Sequence, residues 1–145
     1  MSNVPSWKRN LSKTEYIYKV FELEVYATKV IYNTPSKYRH SFGDTLIREC
    51  NRAMYHGRVA NDIYLQNEQT RAERLYELSK MKAAVDNICT QAYIWAETIL
   101  MHDGLSSKQK EKMYKFEESV GNHCDKIISL IEGQKRYVKD RKLEQ

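Results

Sequence analysis

The stretch LSKMKAAVDNICTQAYIWAETI, Leu78 to Ile99, decides the fold class. Its apolar residues Leu78, Met81, Val85, Ile88, Ala92, Trp95 and Ile99 recur at steps of three and four, the spacing that gathers side chains on one face of an α-helix. Upstream, Asn67 is a natural N-cap, and downstream Gly104 is a natural stop. The spacing therefore predicts a helix of about 35 residues, roughly 50 Å long at 1.5 Å per residue. A helix of that length is expected to bend or to project beyond its partners at one end.

The same 3-4 spacing recurs on both sides of this segment. Toward the N-terminus, Tyr16, Val20, Leu23, Ala27 and Val30 predict a first helix over Thr14 to Tyr32, ended by Pro35. After the short connection Pro-Ser-Lys-Tyr-Arg-His come Leu46, Cys50, Ala53, Gly57, Ala60 and Tyr64, the stripe of a second helix. That stripe is small-sided. Gly57 costs a helix about 1 kcal/mol relative to Ala unless close packing offsets it, so this helix is expected to lie tightly against a neighbour.

Toward the C-terminus, Ser106 followed by Gln109 has the capping-box spacing. Met113, Phe116, Val120, Cys124, Ile127 and Ile131 supply the fourth stripe, with Gly133 as the expected C-cap. Four helices with short connections predict an all-α, antiparallel up-down-up-down four-helix bundle over residues 14–133. An N-terminal extension, 1–13, precedes it. A basic C-terminal tail, 134–145, follows, with five Lys/Arg against two acids and little to bury.

Composition agrees with this reading. Only five Gly and two Pro punctuate 145 residues, whereas an all-β domain needs many turn residues. Hydrophobic residues at 41% and charged residues at 30% suit a folded chain rather than a disordered one. No window approaches the roughly 20 apolar residues of a membrane span, and Met1 to Asn10 lacks the apolar stretch of a signal peptide. Cys50, Cys89 and Cys124 are odd in number and each sits in a helical pattern, which predicts reduced thiols of a cytoplasmic protein rather than a disulfide framework.

Catalytic and metal motifs find no support in the residues. A di-metal bundle needs two Glu-x-x-His pairs facing one another, and the chain has none. His40, His56, His102 and His123 never stand three or four positions apart, as a zinc-binding helix requires. No metal and no cofactor is expected, and His123 is expected to be a partly buried bundle residue. Helical ribonucleases of the HEPN type carry an Arg and a His with four to six residues between them. Here Arg52 and His56 have three residues between them and Arg48 and His56 have seven. Gly-rich phosphate loops and nucleophile elbows are absent, so a non-enzymatic protein is expected.

A formal charge of +5 suits a polyanionic partner. Its distribution says more than its total. Residues 35–66 carry five Lys/Arg against three acids, and residues 67–103 carry four against six. Arg48 and Arg52 share a helix face, Arg58 lies nearby, and Lys37 and Arg39 precede them. Arg suits phosphate because its planar fork donates two parallel hydrogen bonds. A solvated helix face is the alternative. Eleven Tyr against three Phe fit either subunit contacts or a platform for stacking bases, and subunit contacts are the commoner use.

The order of these elements carries a resemblance. The run Ser-Lys-Tyr-Arg-His-Ser-Phe-Gly-Asp-x-Leu enters the second helix, Ala60-Asn61 lies near its end, Arg71-Ala-Glu-Arg74 opens the long helix, and Gly104-Leu-Ser-Ser-Lys-Gln109 precedes the last. This pattern resembles the accessory variability determinant proteins of diversity-generating retroelements. These are grouped with the four-helix-bundle proteins encoded in intervening sequences of large-subunit ribosomal RNA genes. The likeness runs from about Thr14 to Gly133 through loose helical patterns. It implies a homopentamer with a positively charged surface that binds a reverse transcriptase and its template RNA, and DNA as well, during mutagenic copying. Matched residue by residue, the basic surface it implies comprises Arg39, Arg48, Arg52, Arg71 and Arg74, with Lys37 and Arg58 beside them. The ribosomal-insert relatives imply an oligomerising bundle with no reverse transcriptase partner.

Overall fold

Reciprocal side-chain caps set the two long helices. Asn67 Oδ1 accepts from the Thr70 backbone N–H while Thr70 Oγ1 accepts from the Asn67 N–H. Ser106 and Gln109 repeat the arrangement. Each pair satisfies backbone donors that the first helical turn leaves open. In the computed structural model, which describes residues 11–39 and 42–143, four helices follow one another. They are α1 (Leu11–Tyr32), α2 (Phe42–Asp62), α3 (Glu68–Leu100) and α4 (Ser107–Asp140), with a single 3-10 turn at Ser36–Tyr38 between α1 and α2. His40, Ser41 and the N-terminal residues 1–10, most of the expected extension, lie outside the described residues.

Each helix packs against its neighbours in sequence, and α1 closes the ring against α4. Short connections reverse the chain each time, so the described residues form an all-α, up-down-up-down four-helix bundle. The expected core stripes of α3 and α4 are buried in full, from Leu78 to Ile99 and from Met113 to Ile131. In α2, Leu46, Cys50, Ala53 and Ala60 are buried, but the helix stops at Asp62 and Tyr64 is 72% exposed beyond its end. In α1 the last core position is Ile31, with Val30 only partly buried beside it.

The α2–α3 pair is the most closely packed, and Gly57 explains why. A Cβ there would come within 3.0 Å of Met81 Sδ and 3.1 Å of Ile17 Cγ1. The bare glycine also lets the buried Tyr16 hydroxyl donate to its carbonyl at 3.3 Å. Burial pushes the Tyr16 phenol up to about 12, so it stays a donor.

Two boundaries differ from expectation. Gly104 does not cap α3, which ends at Leu100, but turns the α3–α4 connection with φ of +85°, a conformation that other residues resist. Gly133 does not end α4. The helix continues to Asp140 because Val138 finds a buried place and Leu143 packs against the core. The first half of the expected tail is thus helix. It also covers the N-terminal turns of α3, where Arg71 reaches the last turn of α4.

Candidate nucleic-acid interface

Arg48 and Arg52 both point outward from α2, one turn apart, with the exposed Tyr55 following at the next turn of the same face. Arg52 Nη1 lies 3.4 Å from Oε2 of the largely buried Glu49, which holds the guanidinium close to the helix. Arg58 is exposed too, on the flank of α2 toward α1, where it lines a hollow with Thr14, Ile17, Asn61 and Asp62.

Lys37 and Arg39 lie in the described part of the α1–α2 connection, which is held by specific contacts. Trp95 Nε1 donates to the Tyr38 carbonyl at 2.6 Å and ties the connection to α3. Lys37 Nζ lies 4.9 Å from the Tyr38 ring centroid, and the Arg39 guanidinium 5.8 Å from that of Tyr32. Arg39 Nε donates to the Thr34 carbonyl at 2.9 Å, which orients its fork at this end of the bundle.

Arg71 and Arg74 are used differently. The Arg71 guanidinium donates to the Val138 and Lys139 carbonyls from one nitrogen and to the Arg141 carbonyl from the other. Those are the open acceptors at the C-terminus of α4, and a cation there also opposes the helix dipole. Arg74 reaches the Ile63 carbonyl beyond α2 and Gln134 of α4. Both arginines serve the bundle at its opposite end, apart from Arg48, Arg52, Lys37 and Arg39. Of the seven expected basic residues, Arg48, Arg52 and Arg58 are thus exposed on α2, Lys37 and Arg39 lie on the connection before it, and Arg71 and Arg74 are engaged within the bundle.

Other polar groupings were not legible in the sequence. His56 Nδ1 lies 2.6 Å from Glu77 Oε2, joining α2 to α3, with Tyr55 edge-on to the imidazole. A carboxylate only accepts, so Nδ1 carries the proton. Between α3 and α4, Glu117 is hydrogen-bonded to Glu97, and burial together with that neighbouring carboxylate raises its pKa to about 7. An open groove of about 490 Å³ between α1 and α4 is lined by Tyr26, Lys115, Asn122, His123 and Lys126, with Glu118 and Ser119. His123 is partly buried there beside the Tyr26 ring.

The cysteines offer no nucleophile. Cys50 is pushed up to about 12 by burial, Cys124 is pushed up further, and Cys89, raised by partial burial, is hydrogen-bonded to Cys124. Nucleophilic attack needs thiolate, which these shifts disfavour. Among the described residues no group of three or more His, Cys, Asp or Glu side chains could hold a metal ion. No described helix is long and apolar enough to cross a membrane. No protein-family model, curated protein or solved structure matches the chain.

Proposed function

We propose that this bundle is a non-catalytic, nucleic-acid-binding accessory subunit that associates with a reverse transcriptase and its template RNA in a diversity-generating retroelement. The observation that supports it most is the outward pair Arg48 and Arg52 on one face of α2, followed by an exposed Tyr55. Two forks one turn apart suit successive phosphates, and an exposed aromatic ring offers a stacking surface. Lys37 and Arg39 extend the cationic run at the end of the bundle. Phosphate contacts of this kind carry affinity and no sequence information, so the proposal covers RNA and DNA alike. In this reading the protein acts in the cytoplasm as a homopentamer, and sequence choice belongs to the reverse transcriptase.

The test is Arg48→Glu together with Arg52→Glu. RNA and DNA retention is expected to be lost while the helical circular-dichroism signal is unchanged. Unchanged retention would remove the α2 face from the account.

A second reading is an oligomerising bundle of the ribosomal intervening-sequence type, without a reverse transcriptase partner. It is favoured by the exposed apolar residues Val25 and Tyr32 on α1, which suit self-association and need no nucleic acid. Co-purification with a reverse transcriptase encoded beside the gene separates the two readings.

A further inference from the structure

Helices α1 and α4 are the least closely packed neighbours in the ring, and the gap between them is the open groove of about 490 Å³. That volume lies in the range of small-ligand sites, roughly 300–1,000 Å³. One face of α4 supplies most of the lining. Lys115, Ser119, Asn122 and Lys126 follow one another there at steps of three and four, with His123 beside them. These groups are all polar, so the groove suits a polar ligand rather than the apolar face of a partner helix.

Its aromatic part is rigid. Tyr26 of α1 sits between Phe116 and His123, which stand seven residues apart on α4. The Tyr26 ring stacks on Phe116 at 5.9 Å and 17°, and the His123 imidazole lies 5.8 Å from it on a tilt of 32°. The three rings lead from the core, where Phe116 is fully buried, to the groove, where Tyr26 and His123 are half-buried. Rings held this way offer a planar ligand a fixed surface at little cost in ordering.

Cations stand at both ends. Lys115 and Lys126 are exposed and eleven residues apart, roughly 16 Å along the helix. Lys115 lies 3.3 Å from Glu111, an exposed pair that competes only weakly with a phosphate. At the other end Lys19 of α1, held by Glu22 at 3.1 Å, stands next to Lys126. Between the lysines, Ser119 and Asn122 provide a hydroxyl and an amide, and Glu118 accepts from amino or hydroxyl groups.

Cations for phosphate, a fixed aromatic surface for a base, and donors and acceptors for its edge or for ribose are the parts of a nucleotide site. We propose that the groove between α1 and α4 binds a nucleotide, its base against His123 and Tyr26 and its phosphates toward Lys115 and Lys126. The span between the lysines suits a nucleotide within a single strand, and a free nucleotide shares the same chemistry. This inference rests on the nucleic-acid reading above and adds a second contact surface, on another side of the bundle from the outer face of α2.

The test follows the His123 Cε1 proton of the full-length chain by NMR during titration with inorganic phosphate, with adenosine monophosphate and with a single-stranded RNA tetramer. The signal is expected to move saturably with the tetramer, more weakly with the mononucleotide and hardly with phosphate. A mononucleotide that binds as tightly as the tetramer assigns the groove to a free nucleotide. Lys115→Glu with Lys126→Glu is expected to weaken binding by about tenfold or more, with the helical signal intact because both side chains are exposed. Arg48→Glu with Arg52→Glu reverses as many charges elsewhere and is expected to leave the His123 titration unchanged. No saturable shift, or an equal shift with phosphate alone, overturns the site. If the site fails while the Arg48 and Arg52 substitutions still abolish RNA retention, the groove falls and the proposed function stands. If the groove binds while those substitutions leave retention unchanged, the α2 face falls and the groove remains.

Discussion

Arg48 and Arg71 look alike in the sequence and do opposite things in the fold. Arg48 projects from α2, whereas Arg71 holds three backbone carbonyls at the end of α4, 67 to 70 residues away along the chain. Nothing local to Arg71 announces those acceptors, so the family likeness groups both residues on one basic surface. Only tertiary contact separates them. The same holds for His56 and Glu77, whose meeting depends on the register of α2 against α3. At Glu117 the pairing with Glu97 has a measurable consequence. Its folded pKa, raised to about 7 from the ordinary glutamate value of 4.5, means that the protonated form is favoured by folding. The stabilisation is fully present below about pH 4.5 and is lost as pH rises through about 7. Raising the pH from 5 to 8 is therefore expected to lower Tm through this group. Glu117→Gln is expected to flatten that part of the profile, and an unchanged profile would show that the pair is too well solvated to matter.

Helix identity was legible wherever the stripe was long and regular, as in α3 and in α4 up to Ile131. Helix ends were legible where a side chain caps its own first turn, as Asn67 and Ser106 do. They were not legible where a distant residue decides. Gly133 has the composition of a stop, yet α4 passes through it because Val138 is buried and Arg71 caps the extension. Gly57 is the reverse case, a glycine whose packing role the small-sided stripe of α2 announces. The side chains of Met81 and Ile17 fill the space that a larger residue would need. Gly57→Val is expected to destabilise the bundle by about 1–3 kcal/mol, the usual range for overpacking a tight core. Urea unfolding would read this as a lower midpoint at constant slope, and an unshifted midpoint would mean that the α2–α3 contact yields easily.

At the scale of the whole molecule, a modest net charge is divided by structure into separate uses. Arg71 and Arg74 brace one end of the bundle, Lys82 and Lys135 meet Glu132 between α3 and α4, and Lys19 meets Glu22 on α1. Arg48 and Arg52 stay exposed on α2, and the proposed function rests on them together with Lys37 and Arg39 of the preceding connection. The most direct measurement is the affinity of the wild-type protein for a labelled single-stranded RNA across a salt series. Four phosphate contacts predict that log K falls linearly with log salt at a slope of roughly −3. A slope near zero, or no binding at the lowest salt, would contradict the account.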